Sequence, residues 1–261
     1  MQRRSSLQIM KAVLFALVLR AVRGRIGVNR LGTFWFVFEP ILHVLALMAM
    51  YTVIRGRSVQ GMDFPIFLVS GIVPFMMFRN IATKGMEAIN ANKSLFAYRQ
   101  ISGFDTVCAR TIVEFSLMLL IYTVLILGLG LWGGYDIRMV APLEWMGVLA
   151  IGVGLSFGLA LVLCVIAQAL PEIKAAISLA FMPLYLISGV IIPVWLTPPS
   201  LLKWMMWNPF LHIVEYLRMS VFTNYPRTAG ISIIYALQVT ICMIFVGMAL
   251  YRMRRHRLVA I

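Results

Sequence analysis

Residues 193–225, PVWLTPPSLLKWMMWNPFLHIVEYLRMSVFTNY, are polar and proline-broken, yet they lie between two long apolar runs. Pro193, Pro198, Pro199 and Pro209 each remove a backbone donor, so no single membrane helix can run through the stretch. Beyond Pro209, the residues Asn208, His212, Glu215, Arg218 and Phe222 recur at steps of three or four. That spacing sets them along one face of a short helix, with Leu211, Val214, Leu217 and Val221 on other faces. Trp195, Trp204 and Trp207, three of the chain's six tryptophans, gather just before it, and tryptophan favours the membrane–water boundary. The expectation is a re-entrant helical hairpin dipping into the mouth of a membrane protein.

Working outward, the 261 residues are 62% hydrophobic and only 12% charged, which excludes an ordinary soluble domain. The formal charge of +14 admits nucleic acid, anionic lipid or an acidic substrate as partner. The basic residues are spread between apolar runs and not pooled in one domain, which argues against nucleic acid. Cys108, Cys164 and Cys242 sit in apolar surroundings and form neither a disulfide framework nor a metal spacing.

Residues 1–30 carry Arg3, Arg4, Lys11, Arg20, Arg23, Arg25 and Arg30 with Leu7, Met10, Leu14, Leu17 and Ala21 at helical spacing. This is a basic helix suited to the membrane surface; arginines stand where a signal peptide would need small residues for cleavage. Six apolar runs follow, at roughly 34–54, 64–82, 105–132, 143–170, 173–192 and 231–251, each near the ~20 residues that cross a bilayer. An all-α membrane protein is expected. The first run contains Glu39, with His43 one turn on; a carboxyl there either faces a polar path or pairs with a basic residue near the inner surface. Arg110 and Glu114 are four apart and can pair on one helix face.

Both tails, the 84–110 segment and Lys174 hold most of the 23 basic residues, and only Arg55, Arg57, Arg138, Lys203, Arg218 and Arg227 fall on the other side. The positive-inside rule therefore places both termini in the cytoplasm and the hairpin outside. Gly128, Gly130 and Gly133 spell G-x-G-x-x-G at the end of a span, which is not the strand–helix context of a dinucleotide site. Gly154 and Gly158 suit close helix packing. The sequence contains no G-x-x-x-x-G-K-[ST] and no H-E-x-x-H, so nucleotide energy would come from another chain.

The block from Arg23 to Glu39, with Arg25, Gly27, Arg30, Leu31, Gly32, Trp35, Glu39 and Pro40, resembles the start of bacterial polysaccharide-exporting ABC-2 permeases. The later set Asn208, Pro209, His212, Glu215 and Arg218 is similar to the same group's signature near its end, and SGIVPFMMF at 70–78 to its second span. Gln100 and Gly103 stand where many relatives carry proline. The nearest resemblance is to the inner-membrane permease of group 2 capsular polysaccharide export. The resemblance implies a membrane-surface helix at 1–30, an ABC-2 type transmembrane domain at 31–261 and an exit hairpin at 193–225. It also implies a homodimer above two copies of an ABC ATPase that uses ATP and Mg, with no cofactor on the permease itself. A periplasmic co-polymerase or adaptor, an outer-membrane export channel, membrane lipids and the capsular polysaccharide are the further implied partners. The 84–104 segment, a polar loop or surface helix, would couple to the ATPase through Lys84, Lys93, Tyr98 and Arg99.

A hydrated glycan needs a polar channel whose aromatic faces hold sugar weakly. Candidates for that path are Trp35, Glu39, Tyr51, Tyr185, Trp195, Trp207, His212 and Glu215. Arg55, Arg57, Lys203 and Arg218 would form an outer basic rim for an acidic, lipid-linked glycan. Arg218 is alternatively a structural partner of Glu215. Competing readings are an ABC-2 exporter of O-antigen, teichoic acid, lipid or drug, and an intramembrane glycan-modifying enzyme using His212 and Glu215.

Overall fold

The computed structural model describes residues 6–26, 30–55, 58–59, 62–98 and 100–259, with side chains described for 8–24, 38–50, 62–98 and 100–255. In chain order the helices are α1 (Ser6–Ile26), α2 (Arg30–Arg55), α3 (Phe64–Ala91), α4 (Gly103–Leu131), α5 (Pro142–Ala169), α6 (Ile173–Ile187), α7 (Pro199–Met205), α8 (Pro209–Met219) and α9 (Ile233–Val259). The all-α expectation holds apart from a small ribbon. Ser58–Val59 pairs antiparallel with Met62–Asp63 between α2 and α3.

Central to the bundle is α3. From Phe64 to Phe78 its sequence is apolar all round, and a helical stretch without a polar stripe belongs in an interior. Ile66, Phe67, Leu68, Ile72, Phe75, Phe78, Ile81 and Ile89 are accordingly at most 1% exposed. Pro65 is tolerated in the first turn, where the missing N–H has no intrahelical partner anyway. Helices α4 and α5 flank α3, α9 lies against α5, and α8 lies against α3, α5 and α9. The α5–α9 seam is close because it is built on glycine. A Cβ added to Gly158 would lie 2.7 Å from the backbone nitrogen of Ile244, and one added to Gly247 would lie 2.8 Å from the Gly158 carbonyl oxygen. The Gly154–Gly158 expectation is thereby met.

Helices α3, α4, α5 and α9 are long and apolar enough to cross a membrane. The expected fifth span is shorter than the sequence suggested: α6 ends at Ile187 after 15 residues, a length of about 22 Å at 1.5 Å per residue, short of the ~30 Å hydrocarbon layer. Ser188 closes it by returning its hydroxyl to the Leu184 carbonyl at 2.6 Å, and Gly189 then turns the chain with φ +67°, a value glycine adopts without a side-chain clash.

A second correction concerns the polar segment after the second apolar run. Lys84 to Ala91 is no loop but the last two turns of α3. Only the short 3-10 helix Lys93–Ala97 and a few further residues connect α3 to α4. Polar residues extend the helix there because none of them is a breaker. Helix α4 then starts at a capping box: Asp105 N–H donates to Ser102 Oγ at 3.2 Å, and Ser102 N–H donates to Asp105 Oδ2 at 3.0 Å. The tail arginines Arg252, Arg254 and Arg255 continue α9 and do not follow it.

Candidate functional site: a polar cleft and a buried clamp

Two polar regions interrupt this apolar bundle. The first is a cleft between α2, α3 and α6. Glu39 and His43, one turn apart on α2, face Arg79 of α3 and Ser178 and Tyr185 of α6 around a cavity of about 200 Å³. A second cavity of about 220 Å³ adjoins it, sharing Glu39, Met76, Arg79 and Ser178, and extends to Asn80, Thr83, Lys84 and Glu87. The two form one charged trough along the helices. In its wall His43 Nε2 lies 2.9 Å from the Tyr185 hydroxyl. Tyr185 is held at 5.4 Å between ring centroids by Phe75.

The sequence brought Glu39 and Tyr185 forward, and the cleft contains both. It missed Arg79, Asn80, Thr83 and Ser178 as cleft residues. Arg79 stands near the end of the second apolar run, where a long basic side chain can reach the membrane surface. What sequence alone does not show is that α6 lies beside α3 with Ser178 and Tyr185 facing Arg79 across a cavity.

The second region is α8, where the structure corrects the reading of an exposed polar face. Phe210, Leu211, His212, Ile213, Val214, Glu215, Leu217 and Arg218 are all buried, so α8 is enclosed on polar and apolar faces alike. Arg218 has no exposed surface and cannot belong to an outer basic rim in this arrangement. Its Nη1 donates to the Gly189 carbonyl at 2.6 Å and its Nη2 to the Val190 carbonyl at 2.5 Å. Glu215 Oε1 is a more distant 3.5 Å, so the carbonyls just beyond α6 are the guanidinium's main acceptors. The same group stacks 3.7 Å over the Phe67 ring. A Cβ at Gly71 opposite would stand 2.2 Å from Nη2, so any larger residue there would push the guanidinium out of this position. Glu215 Oε1 accepts from the Tyr225 hydroxyl at 2.7 Å. Desolvating an arginine and a carboxylate together is tolerable only with such partners.

His212 is equally committed. Its Nδ1 accepts from the Ser232 N–H at 3.1 Å, so the ring proton sits on Nε2, which donates to the Met206 carbonyl at 2.9 Å. With both ring nitrogens used, and Glu215 held by Tyr225 and Arg218, this pair is not free for acid–base chemistry.

The remaining candidates scatter. Trp195 packs edge-on against Tyr225 at 5.0 Å and Phe67 at 6.1 Å, a core role beside the clamp. Lys203 is exposed on α7 and Trp207 is 77% exposed just beyond it. Lys93 and Tyr98 are exposed on the connector, whereas Lys84 lies in α3, 3.9 Å from Glu87. The side chains of Trp35, Tyr51, Arg55, Arg57 and Arg99 lie outside the described residues. Arg110 and Glu114 meet as expected, at 3.0 Å. Among the described residues, no group of acidic, histidine or cysteine side chains could hold a metal ion.

Four helices long and apolar enough to cross a membrane, with charged cavities beside them, mark a membrane protein. The chain belongs to the ABC-2 type transporter family, which matches residues 12–222. It is 33% identical to the polysialic acid transport protein KpsM of Escherichia coli, over 97% of each chain. It is 30% identical to the capsule polysaccharide export inner-membrane protein CtrC of Neisseria meningitidis serogroup A, over 83% of this chain and 82% of that one. For BexB of Haemophilus influenzae, also a capsule polysaccharide export inner-membrane protein, the identity is 27% over 84% and 82%.

Proposed function

We propose that this chain is the membrane subunit of an ATP-driven exporter that carries a capsular polysaccharide, acidic and lipid-linked, across the bacterial inner membrane. The observation that carries this reading is the α2–α3–α6 trough. Glu39, His43, Arg79, Lys84, Glu87 and Tyr185 are drawn from three helices to line one continuous space in an otherwise apolar bundle. Ionisable groups at such depth are retained where they face water or a polar cargo. Sugar hydroxyls and carboxylates can exchange hydrogen bonds along such a surface without tight binding. The relatives' names supply the cargo class.

The apolar faces beside the trough support a dimer. Leu179 and Met182 on α6 are 70% and 71% exposed, and Leu45 on α2 is 49% exposed. A second copy set against them would roof the trough into a channel. In this arrangement both termini are cytoplasmic, α7 and α8 form a re-entrant hairpin from the outer face, and two copies of a separate ATPase dock below. Tyr98, 65% exposed on the connector, is one of their contacts. Periplasmic and outer-membrane partners would take the glycan onward.

In cells lacking this chain, finished polymer accumulates in the cytoplasm, and restoring the chain returns it to the surface with unchanged glycan chemistry. Normal surface polymer in the deletion strain, or a glycan altered in structure and not in location, would contradict the proposal.

A further inference from the structure

A third cavity, of about 250 Å³, lies between α1, α3 and α4 and shares only Lys84 and Glu87 with the trough. Its chemistry is that of an anion site. Arg20, Lys84 and Arg110 line it from three separate helices, opposed by Glu87; counting Glu114, which pairs with Arg110, the surroundings remain one unit positive. Small residues hollow it out: Gly24, Ala88 and Ala109 belong to its wall, and a Cβ added at Gly24 would meet nothing within 4 Å. Lys84 is held only loosely, its ammonium 3.9 Å from Glu87.

The apolar surface around the cavity points to a ligand with tails. A mostly apolar groove of about 490 Å³ shares Leu17 and Arg20 with the cavity and is walled by Ile9, Val13 and Ala16 of α1 and by Leu95 and Ile101 of the connector. Leu17 is buried and seats α1 on the bundle. Cationic side chains around a small polar hollow, bordered by an apolar groove, match a phospholipid whose phosphate enters the hollow and whose acyl chain follows the groove. Basic pockets between membrane helices recognise anionic headgroups in this way, and arginine is suited to phosphate because it presents several donors in a fixed fork. We infer that the α1–α3–α4 cavity is a binding site for the phosphate headgroup of an anionic membrane lipid. Because Lys84 and Glu87 border both this cavity and the transport trough, lipid bound here bears directly on the trough's charged end.

The test is lipid retention by the purified full chain in native mass spectrometry, with phosphatidylglycerol and phosphatidylcholine as probes and glycerol 1-phosphate as a soluble competitor. Arg20→Gln removes one exposed cation. Gly24→Leu fills the hollow while keeping every charge and improves helix propensity. Phosphatidylglycerol is expected to bind about tenfold more tightly than phosphatidylcholine, the effect of one charged hydrogen bond or more. Each variant is expected to lose roughly that factor for phosphatidylglycerol alone. Millimolar glycerol 1-phosphate is expected to leave the lipid in place. Equal retention of the two lipids, or undiminished phosphatidylglycerol in both variants, would overturn the site; displacement by glycerol 1-phosphate would overturn a lipid as its occupant. Should Gly24→Leu fail to fold, Arg20→Gln decides the matter, since its side chain supports no packing.

Discussion

The clamp around Arg218 and the trough around Arg79 each place an arginine and a glutamate inside an apolar bundle, but they dispose of the charge differently. Arg218 donates from Nη1 and Nη2 to backbone carbonyls of its own chain, its guanidinium covers Phe67, and Glu215 Oε1 accepts from Tyr225. Arg218 Nε and Glu215 Oε2 are buried without a hydrogen-bond partner among the described residues. Neither Arg218 nor Glu215 lines any of the cavities described above. Arg79 and Glu39 instead border open space that continues past His43 and Lys84. A closed polar network fixes the position of its elements, here α8 and the turn after α6. An open one leaves hydrogen-bonding capacity for something else. The two are mechanically joined, because Phe75 touches both Tyr185 in the trough and Phe210 of α8, at 5.4 and 6.0 Å.

This contrast can be broken by substitution. Arg218→Met should produce the largest effect, because it strands Glu215 as an unpaired buried acid; such a loss costs about 3–5 kcal/mol. The outcome is little folded protein in membranes, partly recovered by adding Glu215→Gln. Wild-type amounts of a stable Arg218→Met protein with impaired export would instead make Arg218 a transport residue. Arg79→Gln comes next. Accumulation and thermal unfolding in detergent should stay close to wild type, while export per molecule falls about tenfold, as expected for losing one charged hydrogen bond to cargo. Smallest is Tyr185→Phe, which removes a neutral hydrogen bond to His43 worth ~1 kcal/mol. Its export rate should drop by no more than about fivefold, and a larger loss would give the hydroxyl a role beyond orienting His43.

Legibility from sequence followed the same division. Long apolar runs, the glycine pair at 154 and 158, and the Arg110–Glu114 spacing all encode local periodicities, and the helices and contacts they imply are present. Glu39 stood out because a carboxyl within an apolar run is conspicuous. The fate of His212, Glu215 and Arg218 was not legible, since spacing of three or four reports a shared helix face but not what that face meets. Arg218's main acceptors, the carbonyls of Gly189 and Val190, and the Ser232 N–H that donates to His212 are backbone groups 20 or more residues away. Backbone acceptors leave no mark in side-chain pattern. Arg79 was obscured for a related reason: its cavity is walled by Ser178, Met182 and Tyr185 of α6, about a hundred residues away in the chain, and local periodicity carries no mark of that juxtaposition.

The central claim is that sugar passes along the trough between α2, α3 and α6. Photocrosslinking in cells making the glycan addresses it directly, with a photoreactive residue placed either at Ser178, which lines both trough cavities, or at Leu120, 60% exposed on α4. Glycan adducts are expected from position 178 and not from 120; adducts from 120 with none from 178 would contradict the route.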